Sequence, residues 1–122
     1  MRAAALITAL LLVAPGTAKR RTDSPLDHLP PNVEVLTLFG ERADISPDDR
    51  QVAFMAKSFG DAFVIDLETR EIRCLTCNVP GAAFLRVMHL ASGDYLLIGP
   101  ERFEDVKRSR ERDNELWFLG RG

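Results

Sequence analysis

The chain has 122 residues, 46% of them hydrophobic and 28% charged, which suits one folded domain and excludes a disordered polymer. Its 16 Lys and Arg against 18 Asp and Glu leave a net charge of −2. That balance provides neither the basic stripe of a nucleic-acid binder nor a polybasic membrane anchor.

The N-terminus, "MRAAALITALLLVAPGTAKR", carries Arg2 and then an uncharged run from Ala3 to Ala18. Its densest part, Ala3 to Val13, is 11 residues long, short of the roughly 20 that a membrane-spanning helix needs. Pro15 and Gly16 break a helix there, and Gly16, Thr17 and Ala18 offer a small-residue cleavage site. This layout predicts a signal peptide over 1–18, cleavage near Ala18, and a secreted or periplasmic protein with no membrane span. A buried N-terminal helix is the alternative. Residues 19–33, "KRRTDSPLDHLPPNV", hold three adjacent cations and three prolines. They read as an extended, exposed lead-in, because proline fixes φ and removes donors.

From Val33 onward, alternation of period two between turn residues replaces any useful helical periodicity. Arg42 to Ile45 is a first short strand. Ser46, Pro47, Asp48 and Asp49 then form a turn: Ser and Asp side chains bond local amides, and Pro47 presets φ. "RQVAFMA" (50–56) is the second strand. "SFGD" (58–61) turns the chain, with Gly60 free to take positive φ. "AFVIDL" (62–67) is the third strand, "ETRE" (68–71) a polar hairpin loop and "IRCLT" (72–76) the fourth strand.

The second half repeats this pattern. Val52 to Met55 falls on Leu96 to Gly99 at a shift of 44, and Phe63 to Asp66 falls on Leu116 to Leu119 at a shift of 53. "FLRVMHL" (84–90) stands where the first strand stood. The extra residues lie in "ERFEDVKRSRERD" (101–113), with five acids and five bases, which predicts a solvated loop or flexible hairpin. A binding loop is the alternative reading of this insertion.

A period near 44 with four strands per unit is the arithmetic of a β-propeller blade, in which neighbouring sheets cover each other's faces. "ISPDDRQVAFMA" followed by "DAFVIDLETREIRCLT" resembles the repeat of TolB-type, WD40-like propellers. Ser46, Pro47, Asp48, Asp66, Leu67, Thr69, Leu75 and Thr76 stand at that family's pattern positions. Asp49 departs from it, standing where the turn usually has Gly, and Glu71 departs as well. The resemblance implies an all-β fold of antiparallel four-stranded blades. One is complete (about 36–78) and one incomplete (about 82–122), within a partial propeller spanning 34–122. Propellers close with four to eight blades, so further blades or a partner chain are expected to complete the ring. The function implied is a non-enzymatic binding surface for a protein or small ligand. The alternative is the propeller part of a prolyl-oligopeptidase-like hydrolase or a propeller lyase whose catalytic region lies elsewhere.

Candidate chemistry is sparse. Cys74 and Cys77, the only cysteines, lack the second ligand pair of a zinc site. "NVPG" follows them and blocks the helix that would activate a redox thiolate. A local disulfide requires a turn at Thr76-Cys77, because extended residues three apart lie too far from each other; two buried thiols are the alternative. His28 sits in the lead-in, and His89 at a strand end, where a partly buried structural role is expected. Asp48, Asp49, Asp61 and Asp66 fall singly at turns and strand ends, which suits capping better than a calcium loop. Ser46 has no nucleophile-elbow context. Trp117 and Phe118 are expected to pack within a sheet, with a stacking surface as the alternative. The spacing therefore assigns no catalytic, cofactor-binding or metal residue.

Overall fold

A computed structural model describes residues 22–81 and 83–121. The expected signal peptide lies outside them. Two compact units are resolved, divided between Glu34 and Val35. The described part of the first is an exposed lead-in whose one regular feature is a 3-10 turn at Pro25–His28. Ser24 caps this turn by accepting from the Leu26 amide, and Asp23 pairs with His28 Nε2 at 2.6 Å.

The second unit is mostly β. It contains β1 (Glu41–Ile45), β2 (Gln51–Met55), β3 (Ala62–Asp66), β4 (Ile72–Cys74), β5 (Arg86–His89), β6 (Tyr95–Pro100), α1 (Val106–Glu111) and β7 (Asn114–Leu119). These make two antiparallel sheets, β1-β2-β3-β4 and β5-β6-β7, each a meander and neither closed.

Local sequence explains most of this. β2 and β3 are rich in the β-branched and aromatic residues that suit a pleated surface, and they pair without interruption from Gln51↔Asp66 to Met55↔Ala62. Asp66 closes the next hairpin. Its Oδ1 accepts from the amides of Glu68 and Thr69 and from the Thr69 hydroxyl. Arg70 meanwhile takes φ +65°. At "SFGD" the left-handed residue is Phe59, at φ +56°, and not Gly60. Gly60 instead bridges Phe84 through two backbone hydrogen bonds of 3.1 and 3.0 Å. The positive φ therefore moves one residue upstream.

The charged insertion also departs from expectation. Residues 106–111 form a short helix, not an open loop. Asp105 caps it by accepting from the Arg108 amide at 2.9 Å, which satisfies one orphan donor of the first turn. Arg108 pairs with Glu104 one turn back, at 2.6 Å, and with Asp113 at 2.8 Å. Ser109 is fully buried.

The core lies between the sheets. Ala53, Met55, Ala62 and Val64 on one face of the first sheet pack with Val87, Tyr95 and Leu97 of the second, with Trp117 and Leu119 alongside. The other face of the first sheet, with Val52, Phe54 and Ile65, is covered by Leu36 and its neighbours. Phe39 joins this layer, edge-on to Phe54 and Phe63 at 5.5 Å each.

The repeat needs one correction. Val52 pairs with Ile65, and Leu96 and Phe118, which lie 44 and 53 residues further on, also pair. The first hairpin, however, closes on Ile45↔Val52 and the second on His89↔Tyr95, so the second turn is one residue shorter. Val52 therefore corresponds to Tyr95, and Phe54 to Leu97. A one-residue slip exchanges the two faces of a strand. Starts and ends of β1 and β5 lie together: Arg42 Nη1 donates to the Leu85 carbonyl, and Asp44 accepts from His89. β5 also packs against both β1 and β2. The sheets thus share strand order and direction, and opposite faces meet. The stacking is head-to-tail, not back-to-back.

Candidate functional site

One hydroxyl organises the turn at Ser46 to Asp49. Ser46 is buried, and its Oγ accepts from the Arg50 and Gln51 amides while donating to Asp48 Oδ1 at 2.7 Å. Asp48 also accepts from the Arg50 amide. The Ser46 hydroxyl, foremost, and then the Arg50 amide hold the Asp48 carboxyl below its ordinary pKa, because both donate to its charged form. Asp49 takes φ +57°, the conformation Gly would adopt more comfortably. At the corresponding turn the chain does use Gly93, at φ +89°. Each amide, Asp49 and Gly93, donates to the carbonyl three residues back. Asp94 in the second turn accepts from the Arg121 amide and the Ser92 hydroxyl, and these lower its pKa in that order.

Between the two turns lies a polar cleft of about 170 Å³, lined by Ser46, Asp48, Gln51, His89, Ser92 and Arg121 among others. His89 is its most unusual member. Its side chain is only 4% exposed, and Asp44 Oδ2 lies 2.7 Å from its amide nitrogen and 3.2 Å from Nδ1. In the neutral ring that carboxylate assigns the proton to Nδ1 and the lone pair to Nε2. Nε2 is buried without a hydrogen-bond partner, and the ring lies 5.1 Å from that of Tyr95. This pair fastens one sheet to the next. A carboxylate-imidazole couple can take a proton from a hydroxyl placed at Nε2, but the Ser46 proton is already directed to Asp48. The structural role expected for His89 agrees with this burial. Its partner, Asp44, was not legible in the sequence, because the two are 45 residues apart.

An apolar cleft of about 380 Å³ opens on the far side of the first sheet, between the segment Val35 to Phe39 and the side chains of Val52, Phe54 and Ile65. Sequence reasoning missed it, since no motif marks a segment that covers a sheet without pairing with it.

Cys74 and Cys77 are joined in a disulfide, with Cα atoms 5.8 Å apart. The turn between them buries Thr76, whose hydroxyl donates to Asp61 Oδ1 at 2.8 Å and accepts from the Ala62 amide at 3.0 Å. The Asp61 carboxylate lies close to both sulfurs. Bonded to each other, however, they are not the thiolates that a metal requires. Asp66, like Asp48, spends its carboxylate on its own turn, chiefly on the Thr69 amide, which lowers its pKa. Trp117 packs at the core edge and donates to the Gly99 carbonyl at 3.0 Å, whereas Phe118 is exposed. No helix among the described residues is long and apolar enough to cross a membrane. Comparison with protein-family models, curated proteins and solved structures finds no match to this chain.

Proposed function

We propose that this chain supplies successive blades of a TolB-like β-propeller, exported from the cytoplasm, and acts as a non-enzymatic binding module for a protein or other ligand. One observation carries the reading: two meanders stacked with the same strand order and direction, so that opposite faces meet. A self-contained sandwich buries both inner faces and needs nothing more. A head-to-tail stack presents a different face at each end; Leu36 and its neighbours cover that of the first sheet, whereas Leu116 and Phe118 leave that of the second exposed, which is the condition for adding a unit. Polar groups in the turns are committed to the turns themselves, in keeping with a scaffold role.

The test is to append a further copy of residues 41–81 after Gly122. In a blade array each added unit covers the previous face, and stability rises with it. Unfolding should remain a single transition and move upward by several degrees. An appended unit that is protease-sensitive and leaves the midpoint unchanged would overturn the blade reading. The export reading predicts secreted material whose intact mass begins at Lys19. The non-enzymatic reading predicts no covalent labelling by a fluorophosphonate, and stoichiometric labelling of a serine would overturn it.

A further inference from the structure

We infer that Asp61, Cys74 and Cys77 form a redox-gated site for a thiophilic divalent cation of the zinc class, available when the disulfide is reduced. The spacing of the two cysteines supplies only two ligands. Folding supplies a third, because Asp61 stands immediately before β3 and Cys74 ends β4, paired with Phe63 of β3. One carboxylate oxygen and the two sulfurs lie within 4.8 Å of one another.

The loop that carries the sulfurs does not depend on the bond between them. Leu75 and Thr76, the residues enclosed by the cysteines, are both buried. Both are tied to Ala62, the neighbour of Asp61. The Leu75 amide donates to the Ala62 carbonyl at 2.8 Å, and the Ala62 amide donates to the Thr76 hydroxyl at 3.0 Å. That hydroxyl donates in turn to Asp61 Oδ1 at 2.8 Å, which fixes the carboxylate beside the sulfurs. Cutting the disulfide therefore removes a short crosslink and leaves the frame of the site in place. The Cys77 amide also donates to Cys74 Sγ at 3.0 Å, an outer contact that suits a charged, metal-bound sulfur.

The chemistry balances in two steps. A dithiol reductant gives two electrons and two protons to the Cys74–Cys77 bond and leaves as its own disulfide. The cation then displaces both thiol protons and takes two thiolates and the Asp61 carboxylate. Tetrahedral bonds of about 2.3 Å to sulfur and about 2.1 Å to oxygen put the sulfurs about 3.8 Å apart and the oxygen about 3.6 Å from each. The freed sulfurs reach that spacing by turning about their own Cα–Cβ bonds, since their Cα atoms are 5.8 Å apart. Thiolates exclude magnesium and calcium, and the carboxylate suits zinc better than monovalent copper. Cys77 is exposed while Asp61 and Cys74 are half-buried, so the site lies at the surface. Three protein ligands leave a fourth position for water or an outside group, unlike a closed structural zinc. The site stands whether or not the chain is part of a blade array.

The test is cobalt titration of the full chain, reduced by a phosphine that is then removed under nitrogen. The reduced chain should take up one Co2+ per monomer, with thiolate-to-cobalt charge transfer in the near ultraviolet and the visible bands of a tetrahedral centre. An equivalent of Zn2+ should displace it, and the oxidised chain should show neither signal. Asp61→Asn should weaken Co2+ binding at least about 10-fold, the least that loss of even an outer partner costs. Asp61→Cys should restore it with a stronger charge-transfer band, and far-UV circular dichroism checks that each reduced chain folds. An asparagine variant that binds as tightly as wild type would overturn the inference, because two thiols alone would then hold the metal. A reduced wild type that unfolds, or that shares each Co2+ between two chains in sedimentation, would overturn it equally.

Discussion

Thr76→Val tests how the end of one sheet is fixed. The substitution keeps the side-chain shape and removes the hydroxyl, so no cavity forms. In the structure Thr76 is 1% exposed, and its oxygen is the acceptor for the Ala62 amide at 3.0 Å. Ala62 is itself fully buried, so water cannot replace that partner. An orphaned buried donor costs about 1–3 kcal/mol. Asp61, only partly buried, loses a hydroxyl donor but regains water. The expected loss is therefore about 2 kcal/mol, or a fall in melting temperature of roughly 8–16 °C for a domain of this size. Thr76→Ser keeps both hydrogen bonds and loses one methyl, about 1 kcal/mol or less. Urea and thermal unfolding followed by circular dichroism and Trp117 fluorescence measure both variants. Amide exchange at Ala62 should quicken in the valine variant alone. A valine variant within about 0.5 kcal/mol of wild type, or a serine variant no better than valine, would refute the reasoning.

Replacing Cys74 and Cys77 by Ser should cost about 2 kcal/mol at most, the loop-entropy value for so short a ring. Unmodified protein should yield no titratable thiol when denatured without reductant. Gly40→Ala should destabilise the fold by about 1–3 kcal/mol, because φ is +112° and the added Cβ would lie 2.5 Å from the Phe54 ring. Gly81→Ala, also at positive φ but in open space, should cost about 1 kcal/mol, and equal losses at both sites would contradict the packing described. Asp48, Asp66 and Asp94 are all held below their ordinary value of 3.8. The unfolded chain therefore binds more protons near that pH, and these carboxylates stabilise the fold above it. Unfolding midpoints should stay flat down to about pH 5 and decline as acid passes below 3.8. Asp66→Asn should flatten part of that decline.

The fold was legible where its causes are local. The short apolar run Val52 to Met55 is bounded by turn residues, and the Ser46-Pro47-Asp48 turn and the Asp66 cap each find their hydrogen-bond partners within a few residues, so the strands and hairpins could be read directly. The helix at 106–111 was signalled by Asp105 three residues before Arg108 and by Glu104 one turn before Arg108, but charge density masked it. The shared pairing of 52 with 65 and of 96 with 118 followed from two apolar runs in each copy.

Which face of the second sheet is buried did not follow. An alignment by residue type places Val52 on Leu96, and only the hairpin closing at His89↔Tyr95 shows that one turn residue is missing. Alternation fixes that two faces exist. It does not fix which of them meets a neighbour when both are apolar, as they are here. The Asp44–His89 pair and the apolar cleft belong to the same class. Their parts lie in separate segments, and stacking of the sheets alone brings those parts within a few ångströms. Sequence by itself determined an all-β chain of repeated hairpins. Tertiary structure decided the direction of the stack, because that choice rests on packing between distant strands, which no local pattern records.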